Sequence, residues 1–188
     1  MEYTSQQIRH SFGILFMNVA VSVAGGSILS EIVFLNYSPA DYYYYFIWVA
    51  VFGLVFGVQF RRFRLILPLI RHRMKKSTSW PISAKSINGI CWSLPFAAIV
   101  IFPEFTQYLI LLGIGLGNIS TFVFLKKFSG LGNVEQLLVG MISIIMLPVA
   151  FEINLLVFSE HQDIAILFSR IFISMAYAIG GSYALLKN

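Results

Sequence analysis

Apolar residues run along this chain in long continuous stretches rather than in alternation. Six stretches are long enough to be spans, near 11–35, 42–60, 85–102, 105–125, 134–158 and 163–186. A hydrocarbon core of ~30 Å takes ~20 helical residues, so each predicts one membrane-crossing helix. The runs do not alternate with a period of two, and no ~10-residue barrel period is present, which excludes a strand reading. The fold class predicted is all-α: a polytopic integral membrane protein of six transmembrane helices, forming a single domain over 1–188.

Polar residues interrupt the pattern in one long stretch, the loop 61–84, "RRFRLILPLIRHRMKKSTSWPISAK" with Lys85. Phe63, Ile66, Leu67, Ile70 and Met74 fall on one helical face there, with Arg64, Arg71 and Lys75 on another. This predicts a basic amphipathic helix on the inner leaflet, with Arg61, Arg62, Arg64, Arg71, Arg73, Lys75 and Lys76 against anionic lipid headgroups. Pro68 predicts a kink or a division into two short helices. The plainer reading of the basic loop is topology anchoring; the sharper one is a regulatory or partner-docking arm. The other connections are short: "NYSPAD", "PEF" and "SEHQD" each predict a tight antiparallel hairpin. "DYYYY" at 41–45 reads as an interfacial aromatic belt, with a sugar- or cation-binding patch as the sharper alternative.

Charge then gives an orientation. Cytoplasmic loops are enriched in Lys and Arg. With the N-terminus inside, every basic residue except Arg170 falls in an inner segment, and the outer loops hold Asp41, Glu104, Glu160 and Asp163. Both termini are therefore expected in the cytoplasm, in a multi-pass protein of the cell membrane. The net charge of +5 is an orientation signal, and nucleic acid is not an expected partner. Composition agrees: 58% hydrophobic, 11% charged, mean hydropathy +0.81. A soluble domain carries about 25% charged residues. Cys91 alone excludes an internal disulfide and a cysteine-cluster metal site. Arg9, an apolar run and "SVAGG" together resemble a cleavable leader; we read them as a retained first helix.

Small residues spaced by four predict helix contacts. Gly53 and Gly57 mark the second segment, and Gly113 and Gly117 the fourth. Gly26 with Ser22 and Ser30 marks the first, and Gly180 with Ala176 and Ala184 the sixth. A second small stripe in the first segment includes Ser27 and ends at Glu31. These contacts lie within one chain or between copies. "LPFA" and "LPVA", each leading to a returning helix with a glycine cluster and a lysine end, point to duplicated hairpins with bends at Pro95 and Pro148.

The candidate chemistry is an intramembrane charge. Arg170 lies about 10 Å below the outer end of its helix at 1.5 Å per residue. A charge at the bilayer centre costs at least ~2.5–3.5 kcal/mol, so a carboxylate partner is expected. Glu31 and Glu152 sit at similar depth; Glu152 is offset by about 200° from the polar stripe of its helix, which favours Glu31. Ser174 and Tyr177 continue the Arg170 face as a polar stripe. The cluster Arg170, Glu31 and Glu152 is either a clasp fixing helix order or the lining of a solute site.

No histidine lies within a span and no paired catalytic carboxylates stand out, so neither enzyme activity, a metal nor a cofactor is expected. Glu160, His161 and Asp163 read as a solvated loop rather than a cation site. The function expected is a permease or channel subunit for a small polar or charged solute. The alternative is a non-catalytic accessory subunit of a larger membrane complex. Partners expected are the lipid bilayer and either further copies of the chain or other membrane subunits.

Overall fold

The computed structural model describes residues 4–37, 42–76, 80–130, 132–156 and 161–187. Seven helices follow one another: α1 (Ser5–Tyr37), α2 (Tyr42–Val58), α3 (Phe60–Lys76), α4 (Ile82–Ile101), α5 (Thr106–Ser129), α6 (Val134–Leu156) and α7 (Gln162–Leu186). A short 3-10 turn, Pro103–Phe105, joins α4 to α5. No strand occurs among the described residues. Helices α1, α4, α6 and α7, and α5 together with the turn before it, are long and apolar enough to cross a membrane. The count is six if α2 and α3, which meet at 90°, are taken as one broken span. The six predicted segments correspond to α1, α2, α4, α5, α6 and α7. At 33 residues α1 is about 50 Å long and overshoots a ~30 Å hydrocarbon core. The connections "NYSPAD" and "SEHQD" lie largely outside the described residues, as does Glu160.

Helix ends follow local chemistry. Gly130 adopts the left-handed conformation (φ 65°) and its N–H caps Leu125 O, closing α5 after Lys126 and Lys127. Glu135 stands in the first turn of α6, where a carboxylate meets the positive end of the helix dipole. Pro68 lies inside α3 and does not divide it, contrary to the expectation of two short pieces. The carbonyl it leaves unbonded belongs to Arg64, an exposed residue. Pro95 and Pro148 likewise sit within α4 and α6 without dividing them.

The helices pack as a bent row. α2 lies on α1, α1 runs antiparallel to α7, α7 meets α6 and α5, and α5 carries α4 at the far edge. α3 crosses beneath α1 at the end where α1 begins and α7 finishes. Three backbone approaches set the spacing. A Cβ on Gly13 would lie 3.1 Å from Gly181 O, one on Gly140 2.9 Å from Gly115 O, and one on Gly180 2.9 Å from Glu135 O. Only glycine permits such contact. Gly26, Gly113 and Gly117 work differently: they receive the rings of Trp48, Phe96 and Trp92.

Gly53 and Gly57 make no close contact within the chain, which leaves only the inter-chain half of the expectation open for them. Both are exposed, and a Cβ on either would meet nothing within 4 Å. The face of α2 nearest the bundle is instead an aromatic ladder, Tyr44, Trp48, Phe52 and Phe56, with successive ring centroids 6.5, 6.1 and 6.2 Å apart. Phe56 meets Phe63 of α3 edge-on at 5.2 Å and holds the corner between the two helices.

Candidate functional site

Arg170 projects from α7 into a cavity of about 710 Å³ shared with Ser30, Glu31 and Phe34 of α1, Tyr44 and Tyr45 of α2, and Asp163 of α7. Its guanidinium carbon lies 4.9 Å from the Tyr44 ring centroid and 5.5 Å from that of Trp48. Both distances suit cation–π attraction. Glu31 is the carboxylate whose charge acts on Arg170, yet no N–O contact within 4.0 Å joins them. The expected ion pair is therefore an aromatic cradle with a carboxylate at longer range. Glu152 is exposed on α6 and takes no part, so the three-residue cluster reduces to Arg170 and Glu31. Tyr44, read as a belt residue, packs edge-on against Phe34 at 5.2 Å.

A seam of buried polar side chains runs from this cavity along α1 and α7. Ser174 Oγ donates to Ala20 O across the helix pair at 2.8 Å. Ser27 is buried and donates to Val23 O of its own helix. Other buried polar groups lie off this seam: Asn18 and Ser22 share the stripe of Gly26, which receives Trp48 of α2, and Ser169 shares that of Gly180, which meets α6; Asn18 Nδ2, Ser22 Oγ and Ser169 Oγ have no hydrogen-bond partner. Buried polar atoms without partners cost on the order of 1–3 kcal/mol each.

The seam ends near Tyr177, whose hydroxyl accepts from Asn118 Nδ2 of α5 at 3.4 Å and whose ring stands edge-on to Phe16. Tyr177 is part of the wall of a second cavity, about 580 Å³, at the α3 end. One side is apolar, with Phe12, Leu15, Phe16 and Val19 of α1. The facing side is α4 and α5, where Ser120 Oγ and Thr121 Oγ1 reach Asn88 Oδ1 at 2.8 and 2.9 Å. Trp92 Nε1 donates to Thr121 Oγ1 at 3.1 Å. Asn133 and Gln136 complete the polar part, with Asn133 Nδ2 donating to Gln136 Oε1.

Arg73 lies at this cavity and corrects the headgroup assignment made for it. It is 4% exposed, pairs with Glu135 (1% exposed) at 2.9 Å, and stacks 4.3 Å over Phe12. Its position explains why: it follows Ile66 by seven residues and Ile70 by three, on the buried face of α3. A cation that falls on an apolar stripe was the available signal, together with an acid at the first turn of α6. Arg61, Arg62, Arg64, Arg71 and Lys75 are exposed. Arg64, Leu67, Pro68, Arg71, His72 and Lys75 line an outward groove of about 590 Å³. The side chain of Lys76 lies outside the described residues.

Among the described residues, no group of three or more His, Cys, Asp or Glu side chains could hold a metal ion. Neither a model of any protein family, nor a curated protein, nor a solved structure matches this chain.

Proposed function

We propose that this chain is a permease or channel subunit for a small polar or charged solute, with six spans and both termini in the cytoplasm. The observation that carries the reading is the polar seam between two cavities. About seven residues of α7, or roughly 10 Å, separate Arg170 from Tyr177. Along that distance α7 meets α1 through Ser174, whose hydroxyl donates to Ala20 O. Polar and ionisable groups in a span are costly and mark solute paths. Arg170 offers a cation at the outer mouth, with Glu31 and Asp163 to receive the opposite charge. The orientation rests on the exposed Arg61, Arg62, Arg64, Arg71 and Lys75 of α3, which favour the anionic cytoplasmic leaflet. The reading assigns no catalytic step and no cofactor.

Proteoliposome flux over a panel of ions and small metabolites tests it, with Arg170→Met as the variant. Flux through the parent that falls at least tenfold in a folded Arg170→Met protein supports the reading. A parent that passes nothing in the panel, or a variant that transports normally, counts against it.

A second reading, an accessory subunit or a homo-oligomer, is favoured by one observation. The Gly53–Gly57 pair is bare inside the chain, and such a motif packs closely on another helix. Extraction in mild detergent followed by native mass measurement separates the cases. A complex with other subunits favours the accessory role, several copies favour the oligomer, and a lone monomer removes both.

A further inference from the structure

The cavity at the α3 end has a side window. α4 packs on α5 and the turn before it, and its substantial contacts involve neither α1 nor α3. Gly89 of α4 lines the cavity, is exposed, and would carry a Cβ with nothing within 4 Å. The gap between α4 and the wall made by α1 and α3 therefore faces sideways.

The lining is divided in the way an amphiphile is divided. Phe12, Leu15, Phe16 and Val19 give an apolar wall. Arg73, Lys85, Asn133 and Gln136 gather at the α3 end. Two polar atoms there are buried and unpartnered, Arg73 Nε and Asn133 Oδ1, on residues 4% and 0% exposed. The first needs an acceptor and the second a donor. Glu135 neutralises the guanidinium charge of Arg73, and Lys85 is a second cation in the lining. The volume of about 580 Å³ suits a headgroup and the start of one chain, within the ~300–1,000 Å³ usual for ligand sites.

We infer that this cavity binds an anionic phospholipid whose head also carries a hydroxyl, the phosphate oxygens accepting from Arg73 Nε and Lys85, the hydroxyl donating to Asn133 Oδ1, and the chain leaving past Gly89 into the bilayer. A zwitterionic choline head has no hydroxyl to donate and brings a cation toward Arg73 and Lys85. The inference goes beyond the transport reading: it concerns binding at one end of the bundle and holds whether or not a solute crosses.

The test uses intrinsic fluorescence. Trp80 and Trp92 line the cavity, and Trp48 does not, so a Trp48→Phe protein reports on the cavity alone. Purified full-length chain in non-ionic detergent is titrated with phosphatidylglycerol brominated along its acyl chains, then with the matching phosphatidylcholine. Saturable quenching by the glycerol lipid, at least fivefold tighter than by the choline lipid, is expected. Gly89→Leu, whose Cβ meets nothing within 4 Å, and Asn133→Leu, which removes the acceptor, should each abolish that preference while Tm holds. Gly53→Leu on the far face should leave it intact. Equal quenching by the two lipids overturns the proposal, as does a preference that survives in both folded variants. Displacement by soluble glycerol phosphate as effectively as by the lipid would also overturn it. Intact quenching in a protein that shows no flux would remove transport and leave the site standing.

Discussion

Exchanging Arg73 for methionine leaves Glu135, 1% exposed, as a buried carboxylate without its guanidinium. Removing one partner of a buried pair costs about 3–5 kcal/mol, because the survivor has neither water nor a counter-charge. Arg73 also lies 4.3 Å over Phe12, and a desolvated cation–π contact of that kind contributes up to about 2 kcal/mol. Glu135→Leu should cost a similar 3–5 kcal/mol by stranding the guanidinium. The double variant Arg73→Met/Glu135→Leu is the decisive one. It removes both charges and keeps the volume, so it should lie close to the parent, within about 2 kcal/mol, and a coupling of ~3 kcal/mol or more should emerge from the cycle. The four proteins would be compared by reversible unfolding in mixed micelles, with Tm in the same detergent as a check. Strictly additive single losses would refute the reasoning, and so would single variants as stable as the parent. Either result would mean that water reaches the pair and that α3 is held by its apolar contacts alone.

Gly140→Leu should fail or lose more than ~2 kcal/mol, since its Cβ would stand 2.9 Å from Gly115 O, while Gly53→Leu should stay within ~0.5 kcal/mol; thermal scans in detergent compare them. Tyr177→Phe removes the acceptor of Asn118 and should cost about 1 kcal/mol, read by the same scans. Tyr44→Leu removes one ring beneath Arg170 and should cost about 1 kcal/mol, with a drop in flux that Tyr44→Phe largely restores, since the face of the ring is what the guanidinium meets. In a Cys91→Ser background, Arg71→Cys should react with a membrane-impermeant maleimide only when the cytoplasmic face is opened; labelling in intact cells would invert the proposed orientation.

The helices were legible because apolar length is a one-dimensional property. Five of the predicted segments are helices with ends within four residues of those expected, and α1 begins six residues earlier; of the α3 stripe, Ile66 and Ile70 are buried, Phe63 and Leu67 half-buried and Met74 exposed. What sits beside each helix was less legible. Charge groups Arg73 with its neighbours, whereas register puts it with Ile66 and Ile70. Glu135 carries no distinguishing signal in the sequence, because an acid at the start of a helix is ordinary. Gly53 and Gly57 have the right spacing on a face that nothing in this chain covers, whereas the Gly115–Gly140 approach comes from two single glycines on different helices. Spacing identifies a smooth stripe; only the arrangement of the other helices decides what it meets. Arg170 shows the same limit. Its need for a counterpart was readable, and its depth matched Glu31, but the turn of α2 that brings Tyr44 and Trp48 under it depends on where α1 and α7 place that helix.

The pairing of α1 with α7 also has a consequence for biosynthesis. The two helices share the most extensive interface in the bundle, yet about 125 residues lie between them. At ~5–20 residues per second, α1 waits roughly 6–25 s after its own synthesis before its partner emerges. Throughout that interval the flank bearing Ser27 and the Gly13 notch has no mate. An insertase or an intramembrane chaperone that shelters hydrophilic flanks of nascent helices would find its client here, and a ribosome stalled before residue 162 should leave α1 crosslinked to such a factor.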